Sequence, residues 1–106
     1  MKSLHNHQDA MGTPVAAIEP STRRLAVVLA ANTPKTVAVP SGARILLLVA
    51  TGPVWVQYGA AAAVPAADVL DGTAPELNPA CRWIAGTASI GLAASAACTV
   101  SLCFYA

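Results

Sequence analysis

Metal-ligand residue types stand at alternate positions in His5-Asn6-His7-Gln8-Asp9. Two imidazoles and a carboxylate on an extended backbone would suit zinc or nickel. Ligand identity without a fixed geometry is weak evidence for a site, and a solvated terminal arm is the plainer expectation. Asp68, Asp71 and Glu76 form a second group. Oxygen ligands so spaced can hold calcium, but neither the spacing nor the glycine matches an EF-hand loop. The plainer reading is a charged loop that keeps the domain soluble or pairs with a neighbour's arginine. Cys81, Cys98 and Cys103 show no Cys-x-x-Cys spacing. Their odd number, together with a start that lacks the apolar core of a signal peptide, points to reduced thiols. Neither histidine has a cysteine nearby in sequence, so a thiol nucleophile has no evident base. There is no Gly-x-Ser-x-Gly elbow and no phosphate-binding glycine loop. The expectation is a protein that is not an enzyme, with no cofactor and no metal.

The scaffold for these residues is narrowed by composition. A chain of 106 residues is about one domain. Hydrophobic residues make up 56% of it and charged residues 10%, against a usual charged share of about 25%. Alanine fills 24 positions, and six basic and five acidic residues leave a net charge of +1. Disorder needs the opposite composition. A protein that reads phosphates needs a denser basic surface, so no nucleic-acid partner is expected. A domain of this size buries only about two thirds of its unfolded surface. Much of the apolar inventory should therefore face a membrane or other protein subunits.

Residues 45–67 and 83–106 carry no charge, and each stretch exceeds the roughly 20 residues of a membrane-spanning helix. Their internal order argues for strands. In the second stretch the even positions read Ile90, Leu92, Ala94, Ala96, Cys98, Val100, Leu102, Phe104. The odd positions read Ser89, Gly91, Ala93, Ser95, Ala97, Thr99, Ser101, Cys103. Large apolar residues on one parity and small or hydroxyl residues on the other describe a strand with one buried face. A lipid-facing helix has no reason to sort residues by parity. The first stretch is broken by Gly52-Pro53 and again by Pro65. No membrane partner is expected.

Residues 1–22 read as an extended N-terminal arm, with Gly12, Pro14 and Pro20 among polar residues. Residues 23–106 read as one β-domain. Strands are expected over 24–30, 36–39, 45–49, 54–58, 81–84, 89–92 and 98–105, with turns at Asn32-Thr33-Pro34, Pro40-Ser41-Gly42, Thr51-Gly52-Pro53 and Ala85-Gly86-Thr87. The apolar run at 45–49 suggests burial on both faces, and the last two strands suggest a hairpin around 93–97. Residues 59–79 form one long connection, which in a compact domain is usually functional or makes contacts. The fold class is all-β, a small β-sandwich or jelly-roll-like domain of six to eight strands.

Beyond Lys2, the bases of the first half are Arg23, Arg24, Lys35 and Arg44, and no acid lies between Pro20 and Ala67. The acids at 68–76 sit together. This asymmetry can steer head-to-tail packing of identical subunits; charges at strand ends that block edge pairing are the equal alternative. Trp55 has the parity opposite to Val54 and Val56, so it should face away from the core, where a tryptophan is more often an interface residue. The contact residues expected from sequence are Trp55, Tyr58, Asp68, Asp71, Glu76, Arg23 and Arg24.

Residues 44–106 also carry a resemblance. Ile45-Leu46-Leu47-Leu48-Val49 is followed by Gly52-Pro53-Val54-Trp55-Val56-Gln57-Tyr58-Gly59. A loop follows, with Val64-Pro65-Ala66-Ala67-Asp68, Asp71-Gly72 and Glu76-Leu77-Asn78-Pro79, and the tail ends Val100-Ser101-Leu102-Cys103-Phe104-Tyr105. This pattern resembles small virion structural proteins of tailed bacteriophages. The resemblance implies a β-sandwich that decorates the capsid or sits at the head–tail junction. The expected role is a capsid decoration (cement) protein. It would oligomerise on the shell, with a homotrimer expected, and bind the major capsid protein. Its arm would drape over neighbouring subunits. Its place would be the virion, assembled in the bacterial host cytoplasm. The alternatives are a head–tail connector, neck or tail fibre component, and a carbohydrate-binding β-sandwich on the virion surface.

Overall fold

The computed structural model describes residues 1–14 and 17–106. Its eight strands are β1 (Arg23–Leu29), β2 (Lys35–Ala38), β3 (Ile45–Ala50), β4 (Trp55–Tyr58), β5 (Glu76–Leu77), β6 (Cys81–Trp83), β7 (Ser89–Ala93) and β8 (Cys98–Tyr105). No helix occurs among the described residues, and none is long and apolar enough to cross a membrane. The strands form two four-stranded antiparallel sheets, a small β-sandwich. Sheet I has the order β1-β8-β3-β6 and sheet II the order β2-β7-β4-β5. The pairs β1·β8, β2·β7, β3·β6 and β4·β5 nest inside one another. The chain is thus one long antiparallel hairpin, folded over so that β3 also meets β8 and β4 also meets β7.

The parity of the C-terminal stretch sets the core. Ile90, Leu92, Val100, Leu102 and Phe104 are fully buried, and Cys98 is buried with them. They pack between the sheets against Leu29, Leu46, Val54, Val56 and Ile84. Burying side chains of this size contributes about 1.5–3 kcal/mol each, so this layer is the main stabilising term. Ser21 is the one buried polar residue among those described, and its hydroxyl donates to the Phe104 carbonyl at 2.7 Å. That bond ties the lead-in of β1 to the last strand.

Three local expectations are corrected. β7 and β8 form no hairpin: β7 lies in sheet II and β8 in sheet I, so residues 94–97 carry the chain from one sheet to the other. The run at 45–49 is buried on one face only, since Leu46 and Leu48 point inward while Val49 is exposed. The long connection is not wholly irregular, because Glu76–Leu77 adds β5 to the edge of sheet II opposite Trp55 and Val56.

The segment before β1 doubles back. Backbone bonds His7 N–H to Ala17 O (2.9 Å) and Asp9 N–H to Thr13 O (2.8 Å) close a turn stapled by the Asp9 carboxylate, which accepts from the amides of Met11 and Thr13. Its base is docked on the end of β8. Tyr105 donates its hydroxyl to Glu19 O at 2.7 Å, and the Ala106 amide donates to Lys2 O at 2.7 Å. Tyr105 has outward parity yet is buried for this reason.

Candidate functional site

The outer face of sheet I exposes several large apolar side chains, with Thr99 and Ser101 between them. Outward parity gives it Val28 on β1, Leu47 and Val49 on β3, Cys103 on β8 and Trp83 on β6. Trp83 is 69% exposed, Val49 71% and Val28 64%. The sequence pattern missed Trp83, because a three-residue strand is too short to show parity. Cys81 and Cys103 flank Leu47 in the ladder, two strands apart. Their Cα atoms are therefore about 10 Å apart, beyond the reach of a disulfide, and all three cysteines are free thiols.

The flank where β5 and β6 face each other is closed by a polar clasp. Glu76 Oε1 accepts from Arg82 Nε at 2.8 Å and from the Tyr58 hydroxyl at 2.8 Å. Glu76 belongs to sheet II and Arg82 to sheet I, so the pair bridges the two layers. The Arg82 hydrogen bond holds the Glu76 carboxyl below its usual range, against a smaller opposing effect of burial. Burial, with Glu76 as acceptor, pushes the Tyr58 phenol well above its ordinary value. Tyr58 and Glu76, expected as contact residues, thus spend their polar groups on each other and on Arg82.

Trp55 is half-buried on the outer face of sheet II, in register between Leu77 and Ala93. The first part of the long connection lies on the same face. An added Cβ on Gly91 would run into the Ala60 carbonyl oxygen and stand 2.6 Å from the Ala62 nitrogen, so residues 60–62 rest directly on β7. The later part carries Asp68 and Asp71. Asp71 accepts from the amide and hydroxyl of Thr73, which lowers its carboxyl, the hydroxyl bond first. Between the acids stands Leu70, 89% exposed. Arg23 and Arg24 lie on β1, at the edge of sheet I, and are exposed. The structure therefore does not bring the seven expected residues to one place. It sorts them into a basic edge, an acidic segment, an internal clasp and one tryptophan on the opposite sheet.

His5 and His7 stack with ring centroids 4.8 Å apart. His7 Nε2 lies 3.4 Å from Glu19 Oε1 without hydrogen-bond geometry. Lys2 forms the ion pair with Glu19 at 3.1 Å and lowers that carboxyl. Among the described residues no three His, Cys, Asp or Glu side chains converge to hold a metal ion. A cleft between the β2–β3 and β6–β7 turns is lined by Ser41, Arg44 and Thr87 among others. Comparison with protein-family models, with curated proteins and with solved structures finds no match.

Proposed function

We propose that this chain is a structural protein of a tailed-bacteriophage virion, a capsid decoration protein that oligomerises on the shell and stabilises it. The observation that carries the reading is the strand order. Eight strands paired as 1·8, 2·7, 3·6 and 4·5 in two sheets follow the winding of a jelly roll, an architecture used by viral capsid and lectin domains. The outer face of sheet I adds a site-level reason, since it exposes Trp83 near one end and Val28 and Val49 toward the other, and exposed apolar and aromatic side chains favour a protein partner. On this reading Trp83 and Val49 meet the major capsid protein, and the doubled-back N-terminal segment reaches over a neighbouring subunit.

The test is to mix the full chain with undecorated shells and sediment them. Binding is expected, with an image of the particle placing the chain on the capsid surface. Trp83→Ala, on an exposed position, should weaken binding at least about ten-fold, in the range of an interface hot spot. Location at the neck or tail would favour the connector reading instead. A second reading has one observation behind it: lectin domains share the winding, and Trp83 is an exposed ring on an open sheet face. Tyr105 is buried and bonded to Glu19 O, which leaves that face few aromatic rings for a sugar. Specific binding on a glycan array would favour this reading over a shell protein.

A further inference from the structure

We propose that the open edge of β1 is the seat of a second copy of this chain, which lays its 68–71 segment along it. The proposal rests on the assembly reading above and names the contact between sister subunits. β1 is seven residues long and pairs only with β8. Backbone groups of alternate residues in an antiparallel pair point to opposite sides. The Val28 carbonyl accepts from Lys35 Nζ at 2.6 Å, away from β8. Val28, Ala26 and Arg24 therefore turn their peptide groups to the open side. A long edge of this kind is a template for another extended segment unless it is blocked. β1 has no proline or bulge to block it, and among the described residues the Lys35 side chain covers one of its carbonyls.

Charge and apolar character choose the occupant. Arg23 and Arg24 stand at the start of the edge and Lys35 near its end, and among the described residues no acid forms an ion pair with any of the three. Asp68-Val69-Leu70-Asp71 is the complement: two acids with no basic partner around two exposed apolar residues. Residues 68–70 have no regular hydrogen-bonded structure of their own, so their peptide groups are free to pair. Leu70 and Val69 would meet Leu25 and Val28, which are exposed on β1. A contact between two different patches of one chain is heterologous. It closes into a ring when the rotation allows, as a cyclic trimer requires, and otherwise continues as a filament.

The experiment measures self-association of the full chain by sedimentation across concentration and salt. Wild type should associate, and more weakly as salt rises. R23E/R24E should lose about ten-fold or more in association constant. D68K/D71N should do the same, and the amide oxygen that D71N introduces can still accept from Thr73. The four changes together reverse the sign of both patches, so association should return. A β-type circular dichroism spectrum checks that each variant folds. If both double variants associate like wild type, the β1 contact is wrong while assembly stands. If the fourfold variant stays as weak as the doubles, charge pairing between these patches is also refuted. If wild type is monomeric throughout and does not bind shells, the assembly reading itself falls.

Discussion

Gly91 is the position where a single added carbon tests the architecture most directly. Its backbone lies outside the left-handed region, so conformational freedom is not why glycine stands there. The reason is close approach. A Cβ would sit 3.0 Å from Ala61 C, 2.6 Å from Ala62 N and closer still to Ala60 O. All three are backbone atoms, so no side chain can swing aside. Residues 60–62 would have to withdraw by about 1 Å to regain ordinary van der Waals distance. That uncovers Ala62 and Ala93, both buried now. Overpacking of this kind costs about 1–3 kcal/mol, and each kcal/mol lowers the melting temperature of a domain this size by about 4–8 °C. Calorimetry of Gly91→Ala should show that loss, with faster amide exchange in residues 60–63. Gly52→Ala is the control. Its Cβ would meet Cys98 Cβ at 3.5 Å, an ordinary contact with no positive φ, so its stability should stay within about 0.5 kcal/mol of wild type. A Gly91→Ala protein that melts with wild type would refute the seating of 60–62 on β7.

Other perturbations probe the core, the clasp and the N-terminal segment. Phe104→Ala removes a fully buried ring and should cost about 3–5 kcal/mol in urea unfolding, a large part of a typical total of about 5–15 kcal/mol. Glu76 has its folded pKa below the usual 4.5, chiefly through Arg82. The clasp therefore contributes above that value and is lost as pH falls through the lower folded one. Because both partners are partly exposed, Glu76→Gln should cost only about 0.2–1 kcal/mol at neutral pH. It should also flatten the acid limb of a melting-temperature profile, and an unchanged limb would show that the clasp adds nothing there. Tyr105→Phe deletes the bond to Glu19 O and should cost about 0.5–1.5 kcal/mol. Faster hydrogen exchange should appear in the first twenty residues while β3 stays protected.

Seven strands were legible because their signals are local: alternation, β-branched runs and turn residues at regular spacing. β5 was not, because Glu76–Leu77 is too short to alternate and becomes a strand only by pairing with Trp55 and Val56. Parity told which face of β7 and β8 is buried but not which sheet each joins, and residues 94–97 suit a hairpin as well as a crossover. The small residues on the odd parity had two different causes that sequence cannot separate. Thr99 and Ser101 face solvent, whereas Gly91 and Ala93 lie under or beside covering chain. The contact residues fared the same way. Glu76 and Arg82 are six positions apart, yet nothing local says that one belongs to each sheet. Trp83 needed the register to Ile45 before its outward direction was visible.

The scarcity of charge gains meaning once each charged group is followed to its partner. Of the five acids, Glu76 joins the two sheets, Glu19 binds Lys2 at the base of the N-terminal segment, and Asp9 staples its turn. Those three close the fold, and each works through a short-range partner. Asp71 shapes its own turn through Thr73 but, like Asp68, meets no base. Among the bases, Arg82 and Lys2 are used internally and Lys35 donates to Val28 O, while Arg23, Arg24 and Arg44 form no ion pair among the described residues. A charge-poor chain that needed its charges only for solubility would scatter them over the surface. Here Arg23 and Arg24 on β1 and Asp68 and Asp71 in the long connection form two patches of opposite sign on different elements, each beside exposed apolar residues. That division is what a surface meeting another copy of itself requires, because attraction between unlike patches also disfavours pairing of like ones.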